Sequence, residues 1–397
     1  MSHPLYDVIV YGASGFTGAQ AARWMATHAP AGLRWAIAGR SRDKLRAVRE
    51  ELGSAFARLP LVVADAQDTA ALDALVRQTR VVASFAGPYA RHGSELVAAV
   101  ARQGRRYCDI TGETLWVRRM VEAHGETAAT QGACIVPFCG FDSLPSELGV
   151  LLAVGALAAG DEGTAMVRSA FVGKGGFNGG TLASAIALFD EADPSFAEDP
   201  FLLCPPGHGL SAEKNPLHTA PRFDPALGTW VAPFFMAPVN GPVVRWTATL
   251  MAAAGQPHGE DFGYAEGMKV PGRMAAMATA ASLAAGARLL QWGWLRDRLA
   301  AWGPAPGEGP SEAVMDGGFF TTDLVGIGEE GGRVRVHIAG EGDPGNRNTV
   351  RMACAAALTL AEEEVLPAGI LPPGFALGNL LVPRLRALGM KLEVKSA

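Results

Sequence analysis

Three glycines spaced three apart, Gly12, Gly15 and Gly18, sit in the loop GASGFTG directly behind the apolar run Val8-Ile9-Val10. A glycine loop that leaves a strand and opens a helix presents bare backbone N–H groups at the positive end of the helix dipole. That arrangement holds a pyrophosphate. Gly12 would make the tight turn, Gly15 would let the backbone approach the phosphates, and Gly18 would let helix and strand pack closely. Ser14, Phe16 and Thr17 complete the cradle. Taken alone the spacing also suits a plain strand–helix turn; in the setting described below it reads as a dinucleotide site.

The end of the second apolar run selects the dinucleotide. NAD-binding loops of this kind carry an acid there, about 20 residues on, for the ribose 2′-hydroxyl. Here the stretch reads AGRSRDKL, so Gly39 is followed by Arg40, Ser41 and, in the next turn, Lys44. A guanidinium grips a 2′-phosphate through charge-assisted bonds where an acid would repel it, so NADP is the expected cofactor. Arg40 is the main candidate; Arg42 and Lys44 read equally as solvated helix charges. Asp65 is placed for the adenine edge, with capping of the helix near residue 68 as the alternative. Ser84, Ala86, Gly87 and Pro88, in SFAGPYARHG, should line the nicotinamide and its ribose.

Hydride reduction also needs a dry pocket and a group that protonates or hydrogen-bonds the substrate. Tyr89 follows Gly87-Pro88 at the expected nicotinamide edge, and packing without proton transfer is its alternative role. Asp142 and Ser143 follow the sixth apolar run just before Pro145, where capping of the next helix competes with catalysis. Glu113 and His92 are weaker candidates, a backbone-bonded turn residue and a surface residue being the alternatives. The eight histidines and five cysteines show no metal-ligand spacing, so no metal is expected.

These residues need a scaffold that gathers loops at one edge. Apolar, often β-branched runs over 6–11, 34–39, 60–65, 81–86, 106–111 and 133–139 predict strands buried on both faces. Amphipathic stretches over 16–28, 42–52, 68–78, 92–103 and 114–131 predict the helices between them. Six strands with five helical crossovers make a doubly wound parallel sheet, the N-terminal Rossmann part of an α/β protein. In such a sheet ligands lie beyond the carboxyl ends of the strands, where all the candidates above fall.

Five phrases in order, GASGFTG, AGR, FAGPY, YCDITGE and GFDSLPSELG, resemble the saccharopine dehydrogenase-like oxidoreductases. Within that group NGGTLAS, PVVRWTATL and FGYAEGM resemble the branch of trans-acting enoyl reductases. The resemblance implies a Rossmann domain over 1–150, an α/β substrate and dimerisation domain over 151–345, and a segment over 346–397 that returns to the first domain. It also implies hydride delivery to a C=C conjugated to a carbonyl in a lipid- or polyketide-like compound. Saccharopine enzymes proper reduce an imine between amino acids and call for clustered basic residues. The region 160–310 is instead rich in Ala, Gly, Phe, Trp and Met, which favours an apolar or acyl substrate. A non-catalytic NADP-binding partner is the third reading.

After residue 160 a strand is predicted over 165–172, then a helix opening at Gly180 or Thr181 whose N-terminus could receive an anionic group. A Pro-rich, irregular excursion follows over 194–242, as in a lid. Strands are predicted over 243–251 and 262–266, an Ala-rich helix over 272–302 and a hairpin over 317–339. Val334, Val336 and Ile338 face one side of that hairpin, and such a sheet should pack on helices or across a homodimer. A helix over 348–364 and a packed Pro-rich tail complete the chain.

The chain has 397 residues with 49% hydrophobic and 18% charged residues, enough for a large core. A net charge of -5 gives no basic footprint for nucleic acid. Unpaired cysteines and the lack of a basic, apolar leader in residues 1–5 point to a cytoplasmic protein. The charge-free stretch Met274 to Ala287 is too short to span a bilayer. It reads as a buried helix, with peripheral contact to a membrane surface as the alternative.

Overall fold

Buried parallel strands form where the apolar runs are shortest and most β-branched. In the computed structural model, β1 (Tyr6–Tyr11), β2 (Trp35–Gly39), β3 (Leu61–Val63), β4 (Thr79–Ser84), β5 (Arg106–Asp109) and β6 (Cys134–Val136) lie side by side in the order β6-β5-β4-β1-β2-β3. Every pairing is parallel. Val8, Ile9, Ile37, Val81 and Val82 are fully buried because helices cover both faces. Those helices, Phe16–His28, Arg42–Glu51, Thr69–Arg77, Ser94–Arg102 and Thr114–Gln131, fall within two residues of the predicted spans. The doubly wound fold is the one expected. The structure describes residues 4–176, 199–216, 220–290, 292–293, 298 and 308–396. The helix predicted to open at Gly180 or Thr181 lies outside them.

The helix Leu144–Ala158 leads into a second, mixed sheet. Its strands are β7 (Thr164–Lys174), β8 (Arg222–Asp224), β9 (Thr229–Ala232), β10 (Gly263–Val270), β11 (Phe319–Gly328) and β12 (Arg333–Glu341). β7 and β10 are parallel and the hairpin β11–β12 is antiparallel. Val334, Val336 and Ile338 are buried, and this apolar face packs on Leu144–Ala158. Of the two uses expected for that face, a covering helix is the one found. The other face carries Arg335, Lys269, Asp323 and His337, with Lys269 and His337 both bonded to the Asp323 carboxylate.

The last fifty residues feed both sheets. The helix Thr349–Glu362 is buried against Phe16–His28 and the parallel sheet, and β13 (Gly369–Ile370) extends that sheet beyond β6. The helix Pro373–Ala387 packs on Leu144–Ala158, and β14 (Lys391–Ser396) pairs with β12. The full order of the second sheet is β14-β12-β11-β7-β10-β9-β8.

One expectation is corrected: the strand predicted over 243–251 is part of the helix Ala237–Ala253. Every residue from Val239 to Thr249 is buried, because this helix is wedged between Leu144–Ala158, Pro373–Ala387 and β10. Burial on all sides erases the helical period and leaves a continuous apolar run, which is also what a buried strand looks like. The predicted excursion over 194–242 likewise contains β8, β9 and the start of this helix. Among the described residues no helix is long and apolar enough to cross a membrane.

Candidate active site

The glycine loop has the conformation its residue types allow. Gly12 has φ +79°, the left-handed region, and a methyl group on it would come 2.9 Å from the Ala86 nitrogen. A methyl on Gly18 would come 2.2 Å from the Gly12 carbonyl oxygen. Gly12 and Ala13 donate to the Ala38 carbonyl at 2.9 and 3.1 Å, which seats the loop across the ends of β1 and β2. Gly15 is the cap residue of Phe16–His28, whose first-turn N–H groups lack a carbonyl one turn back. With Ser14, Phe16 and Thr17 beside it, this cradle fits the diphosphate of a dinucleotide. Phe16 is covered from above, since a methyl on Gly309 would come 2.4 Å from its ring.

Gly39 lies against Ser14, and Arg40 is exposed at the end of β2 beside the loop. Ser41 instead caps the helix Arg42–Glu51 by accepting from the Lys44 N–H at 3.4 Å, and the Lys44 side chain is exposed. Asp65 is exposed and accepts from the Gln67 N–H at 2.9 Å. The cap of Thr69–Arg77 is Asp68, which accepts from the Ala71 N–H at 3.0 Å, so the capping role considered for Asp65 belongs to Asp68.

β4 ends at Ser84, and the Phe85 and Ala86 that follow pass against Gly12 of the glycine loop before Gly87 and Pro88. Tyr89 turns its hydroxyl to the backbone. Its hydroxyl donates to the Ser84 carbonyl at 2.9 Å and accepts from the Ile110 N–H at 3.3 Å, while its ring lies tilted against Trp116 with the centroids 5.5 Å apart. The residue is 3% exposed, and burial holds its phenol well above the ordinary tyrosine range. These two bonds fasten the loop to the ends of β4 and β5. Glu113 completes the fastening by accepting from the Tyr89 and Ala90 N–H groups at 2.9 and 2.8 Å. His92 ends the short helix Tyr89–His92.

Asp142 and Ser143 sit in a loop gripped from two sides. Phe138 takes the left-handed region at φ 64°, unusual for a residue with a large side chain. Its N–H donates to the Asp109 carboxylate at 3.2 Å, and the Cys139 N–H donates to the Asp109 carbonyl at 2.8 Å. Asp109 also accepts from the Tyr107 hydroxyl and the Thr111 N–H, although burial still pushes it up to about 7. From the other side Thr349 accepts from the Phe141 N–H at 3.2 Å. The C-terminal helix thus helps to shape a loop more than two hundred residues upstream. Ser143 stands at the cap position of Leu144–Ala158 without capping it, because its hydroxyl donates to the Asn240 side-chain oxygen at 3.3 Å. The capping alternative does not hold for Ser143.

Asp142 lines a cavity of about 10 Å³, room for about one water, between the end of β6 and the inner face of the second sheet. Burial pushes its carboxyl up to about 6. Opposite is Glu266 on β10, which the sequence reading missed. Glu266 is 5% exposed and accepts from the Tyr264 hydroxyl at 2.7 Å and the Ser146 hydroxyl at 3.0 Å through Oε2. Asn240 also bonds this carboxyl, and burial pushes the group up to about 7. A lone acid in the apolar strand GYAEGM was the available signal. Phe141, Phe171 and Phe234 wall the cavity, with ring centroids 5.4 and 4.8 Å apart along the series.

Comparison with known proteins agrees with this geometry. Residues 8–136 match the family described as the saccharopine dehydrogenase NADP binding domain. A relative from Mycobacterium tuberculosis is 35% identical over 420 residues, covering 98% of this chain and 97% of its own. The trans-acting enoyl reductase of Mycobacterium leprae is 33% identical over 410 residues, covering 97% and 96%. Saccharopine dehydrogenase from Saccharomyces cerevisiae shares the fold, with a TM-score of 0.58 at 12% identity over 98% of this chain and 99% of its own. An NADP cradle at one end of the chain and full-length relatives over the rest lead to one assignment. The chain belongs to the saccharopine dehydrogenase-like family of NADP-dependent oxidoreductases, alongside the trans-acting enoyl reductases.

Proposed function

We propose that this oxidoreductase prefers NADPH to NADH and reduces a carbon–carbon double bond conjugated to a carbonyl in a largely apolar, lipid- or polyketide-like substrate. Asp142 is the proton donor of this reading. The observation that carries it is a carboxyl held near neutral pH by burial, at the carboxyl edge of the parallel sheet and against an aromatic wall. NADPH supplies the hydride when bound. Arg40 would hold its 2′-phosphate and the glycine loop its diphosphate. Asp142 would give its proton to the carbon that gains charge, and Phe141, Phe171 and Phe234 would keep bulk water from it. The names of the full-length relatives support an enoyl substrate. We place nucleotide binding in residues 1–150 and substrate binding in 151–345, with 346–397 bracing both.

The imine-forming alternative calls for basic residues to meet several carboxylates. The residues lining the cavity beside Asp142 include no basic side chain to meet them. The deciding experiment follows NADPH oxidation with enoyl thioesters or enones, beside a mixture of amino acid and keto acid. Turnover of the unsaturated compounds is expected. Activity confined to the amino-acid mixture would transfer the enzyme to imine reduction, and none with either class would favour a non-catalytic NADP-binding partner.

A further inference from the structure

The helix Arg273–Leu290 breaks the rule that the other surface helices keep. Its sequence, RMAAMATAASLAAGARLL, contains no acid, and its charges are Arg273 and Arg288 near the two ends. It leans on β8, β9 and β10, yet Ala276 is its one buried residue. At about 100° per residue, Met274, Met277, Ala278, Ala281, Ala285 and Leu289 fall on one arc of roughly 120°, opposite Ala276, with Arg288 inside the arc at its C-terminal end. All six are exposed, Met274 to 77% and Met277 to 48%. A surface helix ordinarily turns such an arc to the core and shows water a polar one. Just past its end Trp292 is 52% exposed.

We propose that this face lies on an anionic lipid surface, with Met274, Met277 and Leu289 in the acyl boundary and Trp292 at headgroup depth. Arg273 and Arg288 reach the lipid phosphates, since a long basic side chain buries its stem and keeps its charge in the headgroup layer. The charge pattern selects lipid over a second copy of the chain: face to face, two such helices would bring arginines together with no acid on either to answer them. A tryptophan beside an apolar, acid-free helix with basic ends is the composition that membrane interfaces favour. The helix lies on the bilayer and does not cross it. This inference is independent of the reaction proposed above.

The test is co-sedimentation of the full-length protein with phosphatidylcholine vesicles and with vesicles that also contain phosphatidylglycerol. Binding to the anionic vesicles is expected, with at least tenfold weaker partitioning for the double variant Met274→Glu, Met277→Glu. Arg273→Gln with Arg288→Gln should abolish the preference for anionic lipid. These side chains are exposed, so NADPH binding followed by fluorescence should be unchanged and reports an intact fold. No vesicle binding by the wild type, or equal binding by wild type and the double Glu variant, overturns the proposal. So does a lipid-free dimer in light scattering that the Glu substitutions convert to monomer, because the face then belongs to a second copy.

Discussion

Asp142, just past β6 of the parallel sheet, and Glu266, on β10 of the mixed sheet, face one cavity with room for about one water. Neither sheet alone contains this pair. Burial moves both carboxyls upward, to about 6 and about 7. Desolvation is the leading cause for both.

Asp142→Asn should lower turnover about 100-fold or more and leave NADPH affinity unchanged. The wild-type rate should fall as pH rises through about 6, because the protonated acid is lost, and this limb should vanish in the variant. Glu266, pushed higher to about 7, is mostly protonated while Asp142 titrates, so Glu266→Gln should leave the limb in place. Rate profiles against pH read both effects, and unchanged turnover in Asp142→Asn would remove it as donor.

Tyr89→Phe deletes a hydroxyl that bonds the Ser84 carbonyl and the Ile110 N–H. It should cost about 1–3 kcal/mol of stability, the toll of leaving buried backbone groups unpaired. Turnover should change far less than in Asp142→Asn. Thermal denaturation alongside the reductase assay separates the two roles.

Arg40→Ala should weaken NADPH binding on the order of 10- to 150-fold, from the loss of charge-assisted bonds worth about 1.5–3 kcal/mol. NADH binding should barely change. Equal losses for both cofactors in a fluorescence titration would place the 2′-phosphate elsewhere.

Glu147 ties three helices together, accepting from the Thr247 hydroxyl at 2.5 Å and the Gly374 N–H at 2.7 Å. Burial pushes it from 4.5 up to about 8. Between those two values the folded chain holds a proton that the unfolded chain has released, so stability falls as pH rises across the window. The melting temperature should drop from pH 5 to pH 8 in the wild type and drop less in Glu147→Gln.

The Rossmann half was legible in the sequence because its determinants are local. Each strand, turn and helix is a contiguous stretch with its own period, and the diphosphate cradle is made of backbone that only Gly12 and Gly18 can shape. The resemblance that placed the chain in its family rests on the same contiguous phrases. Side-chain direction was not legible. Tyr89 stands at the right place in the chain, yet its phenol turns into the core because Ser84 and Ile110 offer it partners there. The helix Ala237–Ala253 hides its period because neighbours surround it. Glu266 gains its meaning from Asp142, and the Asp142 loop gains its shape from Asp109 and Thr349, residues joined to it only through space. Local periodicity is written in consecutive residues, whereas desolvation and hydrogen-bond partners come from whatever the folded chain places alongside, and only the tertiary structure decides that.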